Sequence, residues 1–302
     1  MSEVIDFNTL LGGERVEERE ETVARAAATV SLQPTLRHLS ASSIGMLLRC
    51  PRQFQRRYVF GEKERPGESM LIGSYLHTTL NWNYAQKISS GEDVPLATAM
   101  EYFNDHAVPK VNEQEGGIEN VKWDSSPEDA RSDGERITAA YYKAVVPRIQ
   151  PVATEQKFTL QIPEVEVPVI GFIDVQEEGR VIDTKTGKQV QSKVKPSWML
   201  QGRTYSYATG LPTEYHSISR AKTPGIKTGL ESEDLIVPVP TEAQMHEFVR
   251  LVQTAAHLLR VFIRDYGTHE QDWPTWGAVP DFTRNMLPCN FCGWRQGCPA
   301  WA

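Results

Sequence analysis

The sequence predicts an α/β protein: a mixed β-sheet core flanked by helices, preceded by an added helical region and followed by a cysteine-bearing segment. Three observations carry this. Apolar residues recur at helical spacing up to about residue 150 and then alternate, the mark of half-buried strands. The order from there is three strands, a helix, further strands and a long helix. The composition is that of an ordinary globular chain, with 302 residues, 40% apolar and 24% charged, which excludes disordered, collagenous and coiled-coil proteins. No apolar run approaches the roughly 20 residues of a membrane span, and the N-terminus lacks a secretory signal, so neither a membrane partner nor secretion is expected.

The elements follow in order. Residues 1–36 form an acidic N-terminal extension, with seven acids and two bases before residue 22. Residues 37–150 form the helical region. Ser40 caps a helix carrying Ile44, Leu47 and Leu48, and Pro51 opens a second short helix that ends near Gly61. Residues 70–88 place Ile72, Leu76, Leu80 and Tyr84 at four-residue spacing, with His77 beside the stripe. The stretch 89–127 is loop-rich and uninformative, and 129–149 reads as another amphipathic helix. Residues 151–270 form the core. KFTLQI, PVIGFIDV and RVIDTK read as strands, the last two joined by a four-residue QEEG connection. Ser197 caps a helix through Ala208, EYHSISR and DLIVPVP are further strands, and Thr241 with Gln244 makes a capping box before a long helix ending at Gly267. Residues 271–302 form the cysteine segment.

The formal net charge of -7 argues against a protein that simply coats nucleic acid, but the charge is uneven. Residues 37–61 hold five arginines and no acid; residues 184–213 hold Lys185, Lys188, Lys193, Lys195 and Arg203 and no acid. Either stretch alone fits a solvated helix face as well as a groove for a phosphate backbone. Cys289, Cys292 and Cys298 cluster as C-x2-C-x5-C, with Cys50 far upstream. Four thiolates suit a tetrahedral zinc site or an iron–sulfur cluster, and the three-plus-one split with proline after Cys50 and Cys298 leans toward iron–sulfur. Four unrelated buried thiols are the plainer alternative.

The segment that carries chemistry is GFIDVQEEGRVIDTKTG, 171–187. Asp183 and Lys185 share a strand face. If Val175 pairs with Arg180, Asp174 lies opposite Val181, diagonal to Asp183 and on its face, so two carboxylates and an ammonium converge. Oxygen ligands of this kind suit Mg²⁺ or Mn²⁺, which lower the pKa of bound water, and the lysine can orient that water or offset charge developing on phosphorus. Ile170, Phe172, Ile173, Val181 and Ile182 flank the charges and mark the strands as central. A solvated surface hairpin is the competing interpretation of D-x-K alone.

From LSASSIGMLLRCPRQF to CNFCGWRQGCPAW, residues 38–302, the chain resembles the RecB-like branch of the PD-(D/E)xK nuclease superfamily, most closely its iron–sulfur exonucleases, similar to CRISPR-associated RecB-like exonucleases and the AddB nuclease domain. GSYLHTTL resembles the motif of the metal-binding histidine, here His77; GFID and VIDTKTG resemble those of the two acids and the lysine, here Asp174, Asp183 and Lys185; QGRTYSYA resembles the Q-x-x-x-Y motif, here Gln201 and Tyr205. The resemblance implies a restriction-endonuclease-like fold. It implies a divalent ion held by His77, Asp174, Asp183 and the carbonyl of Thr184, with Lys185 at the water. It implies a 4Fe-4S cluster on Cys50, Cys289, Cys292 and Cys298. Glu155 matches an acidic position of some relatives. The implied activity is exonucleolytic cleavage of DNA, single strands favoured and often 5′ to 3′, with endonuclease cutting in some members, in recombination, repair, phage DNA processing or CRISPR adaptation. The implied setting is the cytoplasm of a bacterial, archaeal or phage-infected cell; since no phosphate-binding G-x-x-x-x-G-K-[ST] loop is present, the chain is expected to act as a stand-alone nuclease or as a subunit that meets a helicase or integrase in trans. The alternative is a DNA-end-binding subunit with little cleavage of its own. Trp123, Trp198 and Trp273 are base-stacking candidates, each also suited to the core.

Overall fold

Helix α1 (Ala41–Arg49) begins where the sequence offers a cap: Ser40 Oγ accepts from the Ser43 N–H (3.1 Å) and Ser43 Oγ from the Ser40 N–H (2.8 Å). The computed structural model describes residues 4–6, 30–33, 35–275, 292–294 and 298; the rest of the acidic extension and Cys289 lie outside these. The chain divides into two compact units, one of residues 1–64, 158–171 and 240–302, the other of residues 65–157 and 172–239.

In the first unit, α2 (Pro51–Phe54) follows Cys50 and widens into a π-helical turn, Gln55–Val59, before Gly61 at φ 72°. Helix α8 (Glu242–Tyr266) starts on the Thr241/Gln244 capping box and buries Phe248, Val252, Leu259 and Phe262. Trp273 is core, not a stacking platform: it is 1% exposed, lies parallel to Phe54 at 6.1 Å and touches Phe262 at 5.5 Å. Its backbone N–H donates to the buried Gln55 side chain (2.8 Å) and its indole N–H to the Gly267 carbonyl (2.8 Å).

In the second unit, α3 (Glu68–Ser90) runs from Gly67 to a left-handed Gly91. The expectation of loop over 89–127 is corrected. Helices α4 (Leu96–Tyr102) and α5 (Val108–Gln114) lie there, joined by a π-helical turn over 103–107. Ala99, Phe103, Ala107 and Val111 are buried at steps of four, so the helical signal is present; Pro109 inside it reads as a breaker, but it directly follows the π-helical turn, and the helical backbone continues through it. Helix α6 (Pro127–Ala144) is capped by Ser126. Ile72, Leu76, Leu80 and Tyr84 of α3 pack with Ile137 and Tyr141 of α6 and with sheet residues Val175, Ile182 and Ile218.

The strands are β1 (Val4–Asp6), β2 (Ala153–Gln161), β3 (Val169–Gln176), β4 (Val181–Gly187), β5 (Thr213–Ser219), β6 (Ile226–Lys227) and β7 (Ile236–Val237). Their order is β1-β2-β3-β4-β5-β6, with β7 also on β5; β1–β2 and β4–β5 are parallel and β3–β4 antiparallel, a mixed sheet. DLIVPVP yields only the two-residue β7 after a 3₁₀ turn, because its prolines end the ladder. Helix α7 (Pro196–Thr209) takes Lys195, not Ser197, as its N-cap and ends at a left-handed Gly210. The β3–β4 hairpin pairs Val175 with Ile182 and Gln176 with Val181, and the Glu177 N–H donates to the Arg180 carbonyl (2.9 Å). The connection is therefore two residues, Glu178–Gly179, and the register sits two residues from the Val175–Arg180 pairing. An even displacement keeps every side chain on its face; carried one step beyond the paired residues, this register faces Asp174 toward Asp183 instead of setting them diagonal. Phe172 is 54% exposed, so it does not flank the charges as core. No described helix is long and apolar enough to cross a membrane.

Candidate active site

Asp183 lies on the central strand β4, 1% exposed, and faces α7. Charge on a central strand is costly unless paired, and here it is paired: Lys185 Nζ, two residues on, lies 2.8 Å from Asp183 Oδ1 and donates to Oδ2 at 3.0 Å. The off-axis approach leaves Oδ1 buried without a hydrogen bond. The ammonium also donates to Gln201 Oε1 (2.9 Å), and Gln201 Nε2 donates to Tyr205 Oη (2.6 Å). Gln201 and Tyr205 are one turn apart on α7 and so face the strand together. Gln201 thus links the lysine to Tyr205.

Helix α3 supplies His77. Its Nδ1 lies 3.2 Å from Asp174 Oδ2 and its Nε2 2.8 Å from the Thr184 carbonyl. A carbonyl can only accept, so Nε2 carries a proton. Gly73, one turn earlier, lets the helix come this near: a Cβ there would stand 3.2 Å from Thr186 Oγ1 of β4. Asn81, one turn later, bonds Glu155, and Thr154 Oγ1 lies 3.0 Å from Asn81 Oδ1 and 2.8 Å from the Asp174 carbonyl. Glu155 is thus tied to the rim of the cluster, in a left-handed conformation at φ 50° that a residue with a Cβ rarely adopts. Neither Gly73 nor Asn81 stands out in the sequence; their one-turn spacing from His77 is the signal.

The electrostatics follow from burial and proximity. Burial works to lower the His77 pKa, but the Asp174 carboxylate overrides it and pushes the imidazole up to about 9. Burial raises Asp174, yet His77, Lys185 and the Thr184 N–H hold it below its ordinary value. Burial dominates at Asp183, and with the repulsion of Asp174 it lifts this acid to about 6 against the pull of Lys185. Burial, with Asp183 nearby, pushes the Tyr205 hydroxyl well up.

Two carboxylates and one carbonyl are hard oxygen donors of the kind Mg²⁺ and Mn²⁺ take, the imidazole is a borderline donor that Mn²⁺ tolerates better, and Asp183 Oδ1 is buried without a hydrogen bond of its own. The residues fit such an ion. As they stand, His77 is spent on Asp174 and Thr184, and Asp183 on Lys185; among the described residues no group of three His, Cys, Asp or Glu is arranged to hold a metal.

Behind Thr184, on the other side of the strand, lies a buried network. Tyr141 Oη is 2.6 Å from His216 Nδ1; His216 Nε2 is 2.9 Å from Glu214 Oε1; Glu214 also pairs with Arg180 (2.5 Å) and accepts from the Gly229 N–H (2.7 Å). Glu214 is 4% exposed; burial alone would raise it, but these partners depress it to about 2.

In the first unit, burial raises the Cys50 thiol, the Gln53 and Arg52 N–H groups oppose this, and the neighbouring Cys292 and Cys298 add to the rise. Cys289 is outside the described residues. Trp123 donates to the Ile118 carbonyl (2.9 Å) and packs on the second unit's core.

Comparison with known proteins puts this cluster in context. A protein from Eubacterium rectale provisionally named an exonuclease matches in structure with TM-score 0.47 and 14% identity, over 74% of this chain and 80% of that one. The protein SSO0001 matches with TM-score 0.34 and 13% identity, over 74% of this chain and 95% of that one. No curated protein matches the sequence significantly. Residues 38–299 match the family model of the PD-(D/E)XK nuclease superfamily, a span that takes in every residue of the acid–lysine cluster. The chain belongs to the PD-(D/E)XK nuclease superfamily.

Proposed function

We propose that the protein is a metal-dependent exonuclease that hydrolyses DNA phosphodiester bonds, with single strands favoured. The observation that carries this is the convergence of Asp174, Asp183, Lys185 and His77 beside β4, with Gln201 fixing the lysine. His77, Asp174, Asp183 and the Thr184 carbonyl would hold Mg²⁺ or Mn²⁺, which supplies charge stabilisation and an acidified water. The chain's own residues do the rest. Asp183 and Gln201 take two of the three Lys185 protons and leave one for the attacking water or a non-bridging phosphate oxygen. Tyr205 keeps Gln201 from rotating away. The single-strand preference, the exonucleolytic mode, the 5′ to 3′ polarity, any endonuclease cutting and a place in recombination, repair, phage DNA processing or CRISPR adaptation rest on the resemblance alone.

For the cysteines we infer a 4Fe-4S cluster on Cys50, Cys289, Cys292 and Cys298, with a structural role. Its support is the C-x2-C-x5-C spacing with Cys50 upstream, the proline after Cys50 and Cys298, and the resemblance.

Asp183→Asn tests the nuclease reading. It keeps the shape of the buried side chain and removes its charge. We expect Mn²⁺-dependent cleavage of labelled single-stranded DNA to fall by about a thousandfold or more, of the order seen when a key charge-stabilising group is lost, with DNA affinity in EDTA retained. A wild-type protein that binds DNA ends and degrades nothing under any divalent ion would instead favour the end-binding reading.

A further inference from the structure

The basic stretch 184–213 is only partly absorbed by the cluster, which uses Lys185 alone. The remaining lysines have a place of their own. A cavity of about 360 Å³ in the second unit is lined by Lys185, Lys188, Lys195, Gln191, Trp198 and Ser217, with no acidic residue in its wall. Two of its ammonium groups rest on aromatic rings: Lys185 Nζ lies 5.8 Å from the Tyr215 centroid, and Lys195 Nζ 5.2 Å from that of Trp198. The two rings are themselves 5.3 Å apart. Such an arrangement holds Lys195 in place without neutralising it, while Lys185 is also paired with Asp183. The nearest carboxylate to Lys188 is Asp124 at 4.0 Å, in a pair so exposed that it contributes little and leaves the charge to a ligand. Ser217 Oγ already accepts the Gln191 N–H (2.8 Å), so its own proton is free to be given. The wall is rich in donors and poor in acceptors.

That chemistry selects an anion. It does not select a base, because Tyr215 and Lys195 already stand against the Trp198 ring. Lys185 belongs both to this cavity and to the acid cluster, so an anion held here adjoins the reacting phosphate. We propose that the cavity is a second phosphate-binding subsite, taking the group next along the strand to the one being cut. The proposal rests on the nuclease reading. The phosphate has two sources, an internal phosphodiester or a terminal phosphate at a strand end.

The test uses the full chain carrying Lys188→Ala and Lys195→Ala together, both exposed positions that leave the core intact. Binding of dye-labelled (dT)12 is read by anisotropy in EDTA between 50 and 300 mM NaCl, with oligonucleotides bearing a 5′-phosphate, a 3′-phosphate or neither. Affinity should fall about tenfold at low salt, and the slope of log K against log salt should lessen by about 0.7 for each single-strand phosphate that the variant no longer neutralises. An equal loss on all three oligonucleotides assigns the site to an internal phosphate, and a loss confined to one phosphorylated end assigns it to that end. A control of equal charge, Lys110→Ala with Lys143→Ala, should bind as wild type does. If wild type cuts DNA while the Lys188/Lys195 variant keeps its affinity and slope, or the control loses as much, the subsite is refuted and the nuclease stands. If wild type neither binds nor cuts DNA, the nuclease reading fails and takes the subsite with it.

Discussion

Lys185 has a single well-defined setting because two acceptors hold it, the Asp183 carboxylate and the Gln201 side chain. Gln201 touches no reacting atom in this arrangement; it is a positioning residue. Gln201→Ala should lower kcat by about ten- to a hundredfold, the usual effect of losing a group that orients an active-site residue, with little change in KM for DNA. Gln201→Glu, which keeps an acceptor at that point, should recover much of the loss. Steady-state cleavage of a labelled strand decides this, and equal kcat values for wild type and the alanine variant would show that the lysine needs no support. D-x-K is plain in the sequence. Its keeper is visible there only as one residue of a resembling motif, because residues 16 apart are joined by the packing of α7 on β4 and by nothing local.

The β3–β4 hairpin shows how much an element's pattern reveals. Alternation places Asp174 and Asp183 on one face, and that placement survives a two-residue change of register because the strand period is two. Turn length is not legible: QEEG admits both a four-residue and a two-residue loop, and cross-strand packing makes the choice. The stretch 89–127 misleads differently, since a proline within a stripe of buried positions hides a helix. Caps are more legible, because they depend on neighbours in sequence. The Thr241/Gln244 box on α8 is an example, and Thr241→Ala should cost about 1 kcal/mol. Urea unfolding would measure it; an unchanged midpoint would mean that packing alone fixes the helix start.

For the whole molecule, acid stability should depend on Glu214. Its folded pKa of about 2 lies below the ordinary 4.5. Between those values the unfolded chain binds a proton that the folded chain refuses. The stability it contributes, about 3 kcal/mol, is therefore complete above pH 4.5, and about 2 kcal/mol of it is gone by pH 3. Urea titrations at pH 7 and pH 3 should show a steeper fall for wild type than for Glu214→Gln; parallel falls would locate the acid sensitivity elsewhere. Metal content at the same scale gives a second check. Anaerobically purified protein should contain four irons and labile sulfide per chain if the cysteines bind a four-iron cluster, and Cys50→Ser should lose them and aggregate. Zinc without iron would remove that assignment.

The division into units also has a consequence for dissection of the protein. All seven residues from His77 to Tyr205 that make up the cluster belong to the second unit, whose two stretches are interrupted by residues 158–171 of the first. Pruning from either terminus removes only first-unit sequence and never reaches that inserted segment. An isolated cleavage module therefore requires an internal excision, with residues 157 and 172 rejoined by a linker, and serial end-deletions would strip away the partner unit piecemeal while leaving a stranded fragment of it embedded in the remainder.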